Sequence, residues 1–322
     1  MKYVILCLCI GLLAAISLYI IFEDEVAVPA GHILLTDGFT ELIHIGRREQ
    51  DRLGTMPLRY TYKPGIIHPR ALSAAHGLIA ILGFEASGRH SVYLRTPDGV
   101  VTTPVLDYPK KLGASVALAP DARSFAALLL RGEVLPKEFS LFIVPQFGKL
   151  KDINQPYPIF DIVQVDLATG QIRIIGEGLA DWGSSLSWSP EGDQLAFDGL
   201  DGWIHSIDVQ TGVIRKIVEG DVPAWAPAGD QLAFRIGRNI WLLDMKTGMT
   251  ARILNNLIAQ PKGPMYWSHD GQFLTYTVYA GLLGDEERCL ALNVRSGDVI
   301  RIGTDSYWCG PWLSTATQMG SS

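Results

Sequence analysis

Residues 187–197 read SWSPEGDQLAF, residues 224–234 read AWAPAGDQLAF, and residues 266–276 read YWSHDGQFLTY. An apolar run and a second turn follow each phrase: DVQTG ending at Gly212, DMKTG at Gly248 and NVRSG at Gly297. A unit of about 40 residues with one aromatic strand and two glycine turns is the signature of a β-propeller blade. Each unit reads as four antiparallel strands. The first ends in the aromatic phrase, a Pro-Asp-Gly-like turn leads to the second, an alternating run such as Trp203–Asp208 forms the third, and the x-Thr-Gly turn leads to the fourth.

The pattern extends upstream. VALAPDARSFAA (116–127) matches with Leu118 at the tryptophan position, and ALSAAHGLIAIL (71–82) matches more weakly with Ser73 there. The anchors Ser73, Leu118, Trp188, Trp225 and Trp267 lie 45, 70, 37 and 42 residues apart, so the unit containing Leu118 carries about 30 extra residues. The second turns (Gly99, Gly170, Gly212, Gly248, Gly297) repeat the same irregularity, and the two series together give five complete units. The chain ends supply a sixth. DSYWC (305–309) resembles a first strand, with Trp308 expected where Trp267 sits in its own unit; His32–Asp37, Glu41–Gly46 and Asp51–Met56 read as second, third and fourth strands lacking a first. The expected fold is an all-β, six-bladed propeller, with seven blades as the alternative, its ring closed by the carboxy-terminal strand so that exposed sheet edges are removed.

The chain has 322 residues, 48% hydrophobic, with 33 glycines and a formal net charge of −6. No run of Lys or Arg exceeds two residues, so nucleic acid is not an expected partner. An uncharged stretch from Val4 to Phe22 precedes Glu23-Asp24-Glu25. As a helix it would span about 28 Å, close to the hydrocarbon thickness of a bilayer. It is longer than a usual signal-peptide core, which favours a retained anchor through residues 4–22 over a cleaved signal. Lys2 before the span and three acids after it point to a cytoplasmic amino terminus. The expected organisation is an anchor at 1–22, a linker at 23–30, the propeller at 31–314 and a tail at 315–322. The expected location is the cell inner membrane, single-pass, with the propeller on the periplasmic or extracellular side; secretion to the periplasm is the alternative. Cys289 and Cys309 would then meet an oxidising compartment, which invites a disulfide. Their assignment to different blades favours two buried thiols instead.

The phrases ending in Gly-Asp-Gln-Leu-Ala-Phe resemble the WD-like repeat of TolB-type β-propeller proteins, including the aspartate after the third strand, here Asp166, Asp208 and Asp244, with Asn293 in the next unit. The resemblance covers about residues 31–314 and implies fold rather than function. TolB-type proteins carry an α/β domain before the propeller, and Phe22 to Gly31 leaves no room for one, so a translocation role is not carried over.

Chemistry is sparse in the sequence. No Gly-x-Ser-x-Gly elbow occurs, so serine hydrolysis is not expected. The seven histidines form no His-x-His or His-x-x-x-His pair, and no cofactor or metal is expected. The turn aspartates read as caps of their own backbone, not calcium ligands. Recurrence at one blade position marks Trp188, Trp225, Trp267 and Trp308 as packing between blades. The departures from the repeat are more informative. The insertion near Arg131–Phe160 is rich in aromatics and prolines, and loops of that kind either bind or fold back over a blade edge. A shorter excursion spans Ala280–Glu287. Second-to-third and fourth-to-first connections emerge on one face, which would bring Trp182 beside both. The candidate binding residues are therefore Phe139, Phe142, Phe147, Tyr157, Asp181 and Trp182. The expected function is non-catalytic capture of a protein or cell-envelope component through that face; the alternative is an exported glycan- or peptide-processing enzyme with its site at the central channel.

Overall fold

A computed structural model describes residues 32–36, 42–46, 66–85, 88–96, 105–109, 112–134, 157–255, 260–280, 286–302 and 308–313. All elements among them are strands. Five four-stranded antiparallel sheets follow one another along the chain. The first comprises β3 (Ile66–Ala75), β4 (Leu78–Glu85), β5 (Arg89–Arg95) and β6 (Leu106–Pro109). The second comprises β7 (Leu112–Leu118), β8 (Ser124–Val134), β9 (Tyr157–Asp166) and β10 (Ile172–Ala180). The third runs from β11 (Leu186–Trp188) through β12 (Gln194–Asp198) and β13 (Trp203–Asp208) to β14 (Ile214–Glu219). The fourth holds β15 (Asp221–Trp225), β16 (Gln231–Ile236), β17 (Asn239–Asp244) and β18 (Thr250–Leu254). The fifth holds β19 (Pro261–Trp267), β20 (Phe273–Ala280), β21 (Glu286–Asn293) and β22 (Val299–Ile302).

The two ends of the described chain meet in a further sheet. Strand β23 (Trp308–Leu313) pairs antiparallel with β1 (His32–Thr36), which pairs with β2 (Leu42–Gly46). The carboxy-terminal strand therefore closes the ring, as its sequence suggests. This sheet has three described strands, so the described residues hold five complete blades, not six or seven; the fourth strand expected at Asp51–Met56 lies outside them. The anchor, linker and tail also lie outside. Among the described residues no helix is long and apolar enough to cross a membrane.

Register corrects two anchors. Trp188, Trp225 and Trp267 face Leu195, Leu232 and Leu274. The equivalent rungs are Ala74–Ile79 in the first blade and Trp312–Ile33 in the closing sheet. Ala74, not Ser73, and Trp312, not Trp308, thus hold the tryptophan position. The local phrase misled because DSYWC copies the aromatic pair but not the strand that follows it.

The repeated residues pack between blades. The Trp188 indole N–H donates to the Ala117 carbonyl and that of Trp267 to Ala224, each at 2.9 Å and each on the preceding inner strand. Ser73 and Ser187 hydroxyls accept from the amides of Leu118 and Trp225 on the next inner strand. These four joints thus combine apolar burial with bonds that fix register. The disulfide also exists: Cys289 of β21 is bridged to Cys309 of β23, so the expected pair of free thiols is wrong. Ring closure brings the fifth blade and the closing strand together, and blade assignment in sequence cannot show that.

Candidate functional site

Connections from second to third strands and from fourth strands to the next blade emerge on one face, here called upper. The insertion leaves from this face on a longer stem than expected. Strands β8 and β9 pair up to the Val134–Tyr157 rung, so Arg131–Val134 and Tyr157–Phe160 belong to the sheet and the excursion narrows to residues 135–156. The stem is braced. The Arg131 guanidinium reaches Asp161 at 3.1 Å and Glu177 at 3.0 Å, and the buried Asp161 carboxylate accepts the Gly178 amide at 2.7 Å.

Beside the stem sits Trp182, in the turn between β10 and β11. Asp181 Oδ1 accepts the Gly183 amide at 2.7 Å and the Ser184 hydroxyl at 3.3 Å, while the Trp182 carbonyl accepts the Ala114 amide. The turn is therefore fixed at both ends. Under the indole lie Phe84 at 5.4 Å, His90 at 5.6 Å and Phe160 at 6.0 Å, with Phe84 and His90 stacked at 3.9 Å. His90 Nδ1 donates to the Leu112 carbonyl, which fixes the ring. Such edge-to-face contacts suit the charge distribution of aromatic rings. Phe160 is 2% exposed and His90 8%, yet Trp182 keeps 39% of its surface open. A rigid, supported indole facing solvent results.

Further round the same face, Asp221 makes a two-pronged ion pair with Arg235, both contacts at 2.6 Å, and Arg235 also donates to the Pro261 carbonyl of the next blade. Val222, next to it, holds φ 53°, a strained value for a β-branched residue. Asp198, at the end of β12, accepts the Ser185 amide at 2.6 Å. Loss of water around its carboxyl, then the charge of Asp221, pushes its pKa well above the ordinary aspartate value.

The axis of the ring holds a cavity of about 480 Å³ walled by β3, β7, β11, β15, β19 and β23, with His76, Pro120, Pro190, Pro227 and His269 at its lower end. Tyr266 reaches across from the fifth blade to donate to the Leu72 carbonyl of the first at 3.1 Å, and burial raises its pKa. No group of three or more His, Cys, Asp or Glu among the described residues is placed to hold a metal ion. The third-to-fourth turns are backbone caps. Asp166, Asp208 and Asp244 each accept two amides of their own turn, and Asn293 does the same. Those bonds, led by the threonine amide, hold the three aspartate pKa values down. Gly170, Gly212, Gly248 and Gly297 finish these turns with φ of 69–78°, which explains the recurring glycine.

Of the six candidate residues, the structure brings Trp182 and Asp181 together at the upper face, Trp182 as an exposed surface and Asp181 as the side chain that shapes its turn. Tyr157 stands on the last stem rung. Phe139, Phe142 and Phe147 lie outside the described residues. Sequence reading missed Phe84 and His90, since period-two alternation marks them only as strand residues. Phe84 lies near the upper end of a second strand, as Asp198 does, and that position was the available signal.

No protein-family model matches the chain, and no curated protein matches it in sequence. Solved structures do match. TolB from Acinetobacter baumannii superposes with a TM-score of 0.63 at 15% identity, over 88% of this chain and 66% of that one, so the chain spans just under two thirds of that protein's length. A putative TolB from Agrobacterium tumefaciens gives 0.54 at 15% identity, over 80% and 93%. A chain of a nidogen/laminin complex gives 0.57 at 10% identity, over 88% and 97%. Identities this low speak for the fold alone: the chain is a TolB-like β-propeller.

Proposed function

We propose that this protein is a membrane-tethered propeller on the periplasmic side of a cell inner membrane, which binds a protein or envelope component through its upper face. The anchor is the apolar stretch Val4–Phe22. The carrying observation is Trp182: a bulky apolar side chain held open on a rigid aromatic base beside the insertion stem. Exposed tryptophans on supported surfaces are favoured anchors in protein recognition. TolB-like and nidogen/laminin propellers, similar in fold, are consistent with such a binding role.

The test is retention of detergent-solubilised envelope material by the full chain, compared with Trp182→Ser. The reading expects retained envelope material, protein or glycan, and loss of most retention in the variant without a change in melting temperature. No retention by the full chain, or equal retention by both proteins, would count against it.

A further inference from the structure

We infer that the Cys289–Cys309 bridge is a redox clasp on the closing strand, so that a stably closed ring depends on an oxidising environment. The ring is continuous in chain except where β23 pairs with β1, and that pairing is held by backbone hydrogen bonds. Release of β23 is therefore the route by which the ring opens. The disulfide does not cross the β23–β1 pairing. It ties Cys309 to Cys289 on β21 of the fifth blade, and so holds the strand where β1 can pair with it. The Cys309 amide donating to Thr277 Oγ1 at 2.9 Å supports the same placement. Around the bridge Ile33, Ala291, Ile302 and Trp312 form one apolar cluster with the two cysteines.

Oxidised, the strand stays attached to the fifth blade even when its rungs to β1 break. Reduced, it is free to leave both. Both cysteines are almost fully buried, so a reductant reaches the sulfurs only when the strand lifts. Reduction by a dithiol moves two electrons and two protons to the bridge: the S–S bond breaks, two thiols form, and the reductant's sulfurs join as its own disulfide. Because the bridge closes a chain segment with a sequence separation of 20, its loss should raise the population of detached strand on the order of 100-fold.

The test is amide hydrogen exchange on the full chain in three forms: oxidised, reduced by dithiothreitol, and the Cys289→Ala/Cys309→Ala variant. Exchange should rise on the order of 100-fold in Trp308–Leu313 and His32–Thr36, stay unchanged in β16 and β17, and return when oxidised glutathione restores the bridge. Should the double variant fail to fold, the reduced wild type carries the test alone. An equal rise in every blade would make the bridge a general staple and overturn the clasp. No rise at β23 and β1, or a bridge that dithiothreitol cannot reduce, would overturn it as well.

Discussion

Trp312 and Trp308 lie four residues apart in the same strand, yet replacing them by alanine should have very different consequences. Trp312 is 3% exposed, faces Ile33 across the closing rung and packs against Cys289, Ala291 and Ile302 of the fifth blade. Its indole nitrogen has no hydrogen-bond partner among the described residues, so packing carries its described contribution. Truncating a buried tryptophan costs roughly 3–5 kcal/mol, out of a typical domain stability of about 5–15 kcal/mol. At about 2–4 °C per kcal/mol for a domain of this size, Trp312→Ala should melt roughly 6–20 °C lower. Trp308 is half-buried at the strand end, beside Gly263 and edge-on to Tyr279 at 6.3 Å. Its replacement should lower melting by less than half as much. Circular dichroism at 218 nm or so, followed through heating, reads both. If Trp308→Ala is as damaging as Trp312→Ala, the register of the closing strand is wrong.

Asp198→Asn should stabilise the fold more at pH 8 than at pH 5. Its raised pKa means that the folded chain holds a proton that the unfolded chain has lost, so wild-type stability falls as pH rises from the ordinary aspartate range to that pKa and stays reduced above it. Asparagine still accepts the Ser185 amide, and a urea midpoint gap that does not widen with pH would contradict this. The turn aspartates behave in the opposite sense: their depressed pKa values give a contribution present above the ordinary aspartate pKa and lost as pH falls through the folded values. Acid unfolding of an Asp166/Asp208/Asp244→Asn triple variant should therefore be less steep than wild type, since Asn293 shows that the amide caps the same turn. Protease added to spheroplasts should digest the propeller while residues 4–22 stay with the membrane; full protection without permeabilisation would reverse the topology.

Much of the fold is legible because blades repeat. Trp188, Trp225 and Trp267 recur with the same neighbours, and independent Thr-Gly turns confirm their spacing, so five blades follow from two series of residues. Where a single residue carries the assignment, reading fails. Ser73 and Trp308 were placed by local likeness, and register moved both positions by one or more residues. The disulfide was hidden for a related reason: Cys289 and Cys309 belong to different sheets and meet only because the ring closes. At the site, Trp182 stood out as an aromatic in the connection between two blades. Phe84 and His90 did not, because their alternation in β4 and β5 is what any half-buried strand shows, and the stacking beneath Trp182 arises from two blades coming together.

The most direct test of upper-face recognition combines Phe139, Phe142 and Phe147, all replaced by serine, with parallel measurements of envelope capture and thermal unfolding. If the insertion and Trp182 together form the recognition surface, capture should weaken by about 2–4 kcal/mol, roughly 30- to 1,000-fold, while the melting temperature hardly changes. Capture at wild-type strength from a protein that melts normally would contradict recognition through the insertion. A large fall in melting temperature would instead make the loop a cover for the propeller.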